Sequence, residues 1–235
     1  FQFIEVDETS KTISIKPGEW VVDKNLIIPP GYQLNISEGT KIDIKKDGLI
    51  LSYSPLNIHG TKENPVMIGS EDESGQGLVV LQARKTSRIR HTHFDNLASA
   101  KSNGWNLTGA LTFYESPVEM SNVKISGNKS EDALNIVRSS FLIKDSIFSG
   151  GLSDALDVDF GEGVIENSQF EHYGNDAIDV SGTKVTLKSI SISDAGDKGI
   201  SAGENSIVEA DNINIRNSNI AVASKDKSRV KLNTI

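Results

Sequence analysis

The chain has 235 residues, no cysteine, 37% hydrophobic residues and a formal net charge of −8 at pH 7. That length supports one sizeable core, and the lack of cysteine excludes a disulfide framework and thiolate chemistry. The acidic balance argues against nucleic acid or an anionic membrane as partner, and no apolar run approaches the ~20 residues of a membrane span.

In chain order, residues 1–11 read as an N-terminal cap and residues 12–235 as one repetitive domain. The stretch "ISIKPGEWVVDKNLIIPPGYQLNISEGTKIDIKKDGLIL" holds short alternating strands between Gly/Pro turns, so residues 12–68 read as opening coils. In "RIRHTHF", His91 aligns with Asn122 further on and reads as a structural ladder residue, with His93 pointing outward. Residues 95–109, "DNLASAKSNGWNLTG", break the pattern: Leu78 and Leu111 stand 33 residues apart, about 11 too many for one coil. They read as an insertion loop overhanging one face and carrying Trp105; long insertions of this kind are often functional.

Beyond it the repeat is regular. Ala110, Ala133, Ala155, Ala177, Gly199 and Ala221 follow one another at 22 or 23 residues, as do Asn122, Asp145, Asn167, Ser189 and Asn212. Short period-2 strands with Gly, Asn, Ser and Asp between them predict an all-β solenoid of about 22 residues per coil, stacked by parallel pairing ~4.8 Å apart. The leucine-rich pattern of similar length is absent. The abrupt ending in "VKLNTI" suggests that the solenoid continues beyond it.

Stacking turns distant residues into columns. With Leu134/Ile136, Leu156/Val158 and Ile178/Val180 facing in, period-2 alternation puts their neighbours outside. The expected outward columns are the small residues Ala110 to Ala221; Thr112, Asn135, Asp157, Asp179, Ser201; and Tyr114, Val137, Asp159, Ser181. Asp132, Asp154, Asp176 and Lys198 line up where the strands begin. Carboxylates on neighbouring rungs repel when ionised, so one pKa rises, a cation binds, or both stay solvated. Asp at strand starts also satisfies turn backbone; Asp157, Asp159 and Asp179 stand mid-strand, where Asp is disfavoured.

The coil "GNDAIDV", residues 174–180, is similar to the G-D-D-A-I stretch of polygalacturonases, and "LIIPPGYQLNISEGTKIDI" looks like the first coils of many bacterial relatives. The chain resembles the right-handed parallel β-helix superfamily, the pectate-lyase-like and polygalacturonase-like fold. The resemblance implies an extracellular, cell-surface or periplasmic bacterial protein that acts on polysaccharide; calcium is the implied cation, and a monomer without nucleic-acid or membrane partners is expected. In a lyase reading a cation on Asp154, Asp157, Asp176 and Asp179 neutralises a uronate and Lys198 abstracts a proton. In a hydrolase reading Asp157 and Asp179 are acid and base. Trp105, Tyr114, Asn135, Asp159 and Ser201 would contact substrate. Polygalacturonases carry a downstream G-H-G and R-I-K, whereas the next coil here reads "GDKGISAGE". The alternative is a non-catalytic glycan-binding or structural module of a larger surface protein; whether the chain is an enzyme stays open.

Overall fold

A computed structural model describes residues 1–102 and 104–234; Asn103, inside the expected insertion, and Ile235, the expected limit of the solenoid, lie outside them. The chain winds into a solenoid. Nine parallel strands form one face, from Leu26–Ile28 through Gly109–Tyr114, Asp132–Val137, Asp154–Asp159, Ile178–Ser181 and Lys198–Gly203 to Ile220–Ser224. The other faces join in a 16-stranded sheet. Among the described residues no helix is long and apolar enough to cross a membrane.

The corners explain the polar punctuation. Three columns of residues adopt positive φ: one through Gln82, Glu115, Arg138, Phe160 and Gly182; one through His91, Asn122, Asp145, Asn167, Ser189 and Asn212; one through Asn96, Gly127, Gly150, His172, Asp194 and Asn217. Left-handed backbone turns the chain sharply, and Asn, Asp and Gly tolerate it best. Their side chains then bond up the stack: Asn167 Nδ2 donates to Asp145 Oδ1 at 3.3 Å, Asn212 Nδ2 to Ser189 Oγ at 3.1 Å, and Asn217 Nδ2 to Asp194 Oδ1 at 3.0 Å. His91 (φ 46°) occupies the same corner as Asn122.

Inside, aliphatic and aromatic columns fill the coil. Phe148 and Phe170, fully buried, stack at 4.7 Å between ring centroids. At the N-terminal end Ile4–Asp7 turns back and pairs antiparallel with Thr12–Ile15, while Phe3 fills the core against Trp20 at 5.3 Å.

One expectation is overturned. Ala110, Ala133, Ala155, Ala177 and Gly199 do stack, through bonds such as Ala155 N–H to Asp176 O and Ala177 N–H to Lys198 O, but they do not form an outward shelf. The alanines belong to the buried core. A methyl added at Gly199 would meet Ile215 Cγ2 at 2.8 Å and Cδ1 at 3.1 Å, and Ile215 packs against that core. The regular ladder breaks at this position: Asp132 pairs with Asp154 and Leu134 with Leu156, while Ala133 and Ala155 are skipped. The strand bends there, so two successive residues face inward, and only a small side chain fits the crease.

The insertion is shorter in effect than its length suggests. Asp95 still closes the strand Ser87–Asp95 and Gly109 opens Gly109–Tyr114, and Leu78 pairs directly with Leu111. Between them Lys101–Ser102 and Trp105–Asn106 form a small hairpin. Ala100, Trp105 and Leu107 lie on Leu49, Leu51 and Val79, a second apolar cluster on the outer side of the face.

Replacing Ala155 with Leu puts extra methylenes into the crease. Urea denaturation should show a loss of about 1–3 kcal/mol, the usual cost of overpacking; an outward-facing position would show almost none.

Candidate functional site

The outer side of the nine-stranded face brings the expected acidic residues together. Backbone pairing places Asn135 beside Asp157, Asp157 beside Asp179, and Asp179 beside Ser201. The next outward column pairs Tyr114 with Val137, Val137 with Asp159, and Asp159 with Ser181. Asp157, Asp159 and Asp179 are half-buried, Asn135 and Ser201 buried. Asn135 Nδ2 donates to Asp157 Oδ2 at 3.0 Å, fixing that carboxyl.

Burial and mutual repulsion raise the carboxyl pKa values here. Asp157 is pushed up to about 8, first by burial and then by Asp132, Asp159, Asp179 and Asp154 around it. Asp132 rises to about 7, mainly by burial, with the Thr108 hydroxyl pulling the other way. Asp159 is raised by burial, Glu204 and Asp179. Asp179 is raised by burial and by Asp176, against the Ser201 hydroxyl and the charges of Lys225 and Lys198. Among the described residues Ser201 Oγ is buried without a hydrogen-bond partner, and its backbone stands beside that of Asp179 in the register. Carboxyls in one cluster with different environments separate into a protonated and an ionised member at neutral pH.

The strand-start column does different work. Asp154 Oδ1 accepts the Asp176 N–H at 2.8 Å and Asn175 Nδ2 at 2.7 Å. Asp176 Oδ1 accepts the Lys198 N–H at 2.9 Å, and Lys198 Nζ lies 3.3 Å from it. Each aspartate thus ties the coil after it. Lys198 Nζ also bonds Asp197. The Asp197 hydrogen bond, with Asp176 beside it, raises the lysine pKa. A proton-abstracting lysine has to be neutral, so the expectation of Lys198 as base gives way to a charge-balancing role.

The expected calcium set is likewise not a fit. Calcium takes 6–8 converging oxygens, whereas Asp154 and Asp176 spend lone pairs on backbone N–H groups, and among the described residues no three His, Asp or Glu side chains gather as a metal centre requires. Trp105 packs against the cluster of Leu49, Leu51, Val79 and Ala100, whose Val79 stands three rungs from Asp157 along Thr112 and Asn135, roughly 14 Å at the usual strand spacing. It serves the hairpin's packing rather than the acidic cluster. Tyr114 lies two rungs from Asp159, half-buried at its strand end.

Two features escaped the sequence reading. Phe160 directly follows Asp159, holds φ 53° and stays 55% exposed, with its ring over Gly182, where an added methyl would come within 2.5 Å. A bulky residue with positive φ is an outlier; its signal in the sequence was an aromatic at a corner otherwise polar or glycine. The second is a groove of about 760 Å³ at the same corner nearer the N-terminus, lined by Tyr32, Tyr53, Arg84 and Lys85 among others. Its parts come from four coils, and no single motif announces it.

A family model described as right handed beta helix region matches residues 132–235. This chain is a right-handed parallel β-helix. No curated protein matches its sequence. Among solved structures, a mutant of the periplasmic alginate epimerase AlgG is similar with a TM-score of 0.59 at 12% identity, over 95% of this chain and 65% of that one. The chain thus spans about two-thirds of that structure's length. A second AlgG structure gives a TM-score of 0.39 at 9% identity, covering 99% of this chain and 80% of that one. The catalytic unit of a thermostable GH87 α-1,3-glucanase from Streptomyces thermodiastaticus strain HF3-3 gives 0.37 at 11% identity, covering 94% and 62%. At 12% identity the likeness to the first of these is one of fold.

The raised pKa of Asp157 has a consequence for stability. A carboxyl at about 8 in the folded chain and near 3.8 when unfolded holds its proton longer when folded, so its contribution to stability is greatest below pH 4 and falls as pH rises to about 8. Asp157→Asn cannot ionise. Its melting temperature relative to the unmodified chain should therefore climb between about pH 4 and pH 8 and level off above; a difference independent of pH would contradict the shift.

Proposed function

We propose that the β-helix acts on polysaccharide, with the outer side of the nine-stranded face as a glycoside-hydrolysing site outside the cytoplasm. The observation that carries the reading is the register pairing of Asp157 with Asp179, in which Asp157 is pushed up to about 8 by burial and four surrounding carboxyls, while Asp179, also raised by burial and by Asp176, is the member that the Ser201 hydroxyl and the charges of Lys225 and Lys198 pull back toward ionisation. Asp157 donates its proton to the departing glycosidic oxygen. Asp179, as carboxylate, attacks the anomeric carbon; Asp157 then takes a proton from water as that water releases the sugar. Neighbouring rungs lie about 4.8 Å apart, close to the ~5–5.5 Å separation of retaining pairs, so the reaction retains anomeric configuration. Phe160 offers an exposed ring next to Asp159 for a sugar face, and Asn135 positions Asp157.

A solved structure of similar fold is that of a periplasmic alginate epimerase, which gives the glycan reading its context. A second reading, binding without turnover, is favoured by the commitment of Asp154, Asp176 and Lys198 to internal partners. The two separate in one experiment. Neutral and acidic oligosaccharides are incubated with the chain and the products resolved by anomer-specific NMR. Hydrolysis with retention is expected, reduced roughly 10²–10⁴-fold in Asp157→Asn with binding preserved. Binding of the same oligosaccharides without products would establish the module instead.

A further inference from the structure

We propose that the groove between Tyr32 and Glu115 is a second, independent site, which binds an anionic saccharide. Its volume of about 760 Å³ is in the usual range for small-ligand sites, and it does not include the acidic pair. Tyr53, 38% exposed, and Tyr32 give it aromatic surface. Tyr32 is held in place before any ligand arrives: its hydroxyl donates to Glu8 at 2.8 Å, and Lys11 Nζ lies 5.2 Å from its ring centroid. Leu81 adds apolar surface at the end of its strand.

The charges decide the ligand. On the flat faces many exposed cations sit opposite carboxylates, as Lys41 with Glu71, Arg88 with Glu119, Lys184 with Glu162 and Lys188 with Glu166. Among the described residues Arg84 and Lys85 have no such partner, although both are exposed and line the groove. The one carboxylate in the lining, Glu115, accepts from Gln82 at 3.0 Å and faces Arg138 at 3.9 Å. A chain of net charge −8 thus leaves two unpaired cations beside two tyrosine rings. Aromatic faces pack against the C–H face of a sugar ring, and a guanidinium with an ammonium takes a carboxylate or sulfate. Acidic substituents are repelled by the ionised carboxyls of the Asp157 cluster, so the face and the corner groove sort opposite chemistries along the solenoid.

The test uses the full chain and trigalacturonate, with a neutral trisaccharide of the same length and inorganic sulfate as controls. Calorimetry is run at about 20 mM and about 200 mM NaCl. Trigalacturonate should bind, more weakly at the higher salt. Arg84→Gln with Lys85→Gln should weaken it roughly tenfold or more, and Tyr53→Ala several-fold, while Lys184→Gln, which removes an exposed cation paired with Glu162 on the 16-stranded sheet, leaves it unchanged. All these positions are exposed or half-buried, and circular dichroism checks that each variant folds. The proposal is overturned if trigalacturonate fails to bind, if the neutral sugar binds equally, if the double variant binds like the parent, or if sulfate binds as tightly and Tyr53→Ala has no effect. An equal loss of binding in Lys184→Gln would mark a general charge effect rather than a site and also overturn it. Hydrolysis at Asp157 and Asp179 is read out separately, so neither result depends on the other.

Discussion

Parallel backbone pairing between successive coils is the constraint on which everything else in this molecule rests. From Gly109 onward each coil bonds to the next at a spacing of 22 or 23 residues, seen as directly in the Asn–Asp corner bonds as in the strands. A side chain's neighbours are therefore set by its place in the coil and not by its neighbours in sequence. Columns of like residues follow: phenylalanines stack inside, asparagines bond at the corners, and aspartates meet on the outer side of one face.

That geometry carries a cost wherever the column is charged. At the strand starts the cost is offset for Asp154 and Asp176, each of which accepts a backbone N–H from the next coil, and at the end of that column by an ammonium. In the middle of the strand no such partner exists for Asp157 beyond one amide, and the carboxyl keeps its proton. A backbone-tied aspartate, Asp154, and one held by a single side-chain amide, Asp157, thus stand three residues apart in the same strand. What separates them is whether the neighbouring coil offers a donor, a distinction that residue type alone does not carry.

The repeat, the corner ladder and the alignment of Asn135, Asp157, Asp179 and Ser201 were legible in the sequence because period and polarity alone determine them. His91 was correctly placed at a corner for the same reason. The alanine column was not: strict alternation put it outside, and the crease that turns it inward is a local bend with no periodic mark. Lys198 read as a base because its column was visible and its pairing with Asp197 was not. The hairpin's role was equally hidden, since Trp105 packs on Val79 and Leu51 from an earlier coil. Phe160 and the Arg84–Lys85 groove lie at corners, where the regular pattern lapses and sequence spacing carries least information.

The account turns on two carboxyls made to share one face by stacking. The most direct measurement is a carbon-13 NMR titration of the Asp157 carboxyl in the parent chain and in Asp179→Asn. The account requires a midpoint near pH 8 in the parent, displaced downward once the neighbouring charge is gone. A midpoint near the ordinary value of 3.8, unchanged by the substitution, would show that the two side chains neither crowd each other nor lie in a dry setting, and the proposed site would fall with them.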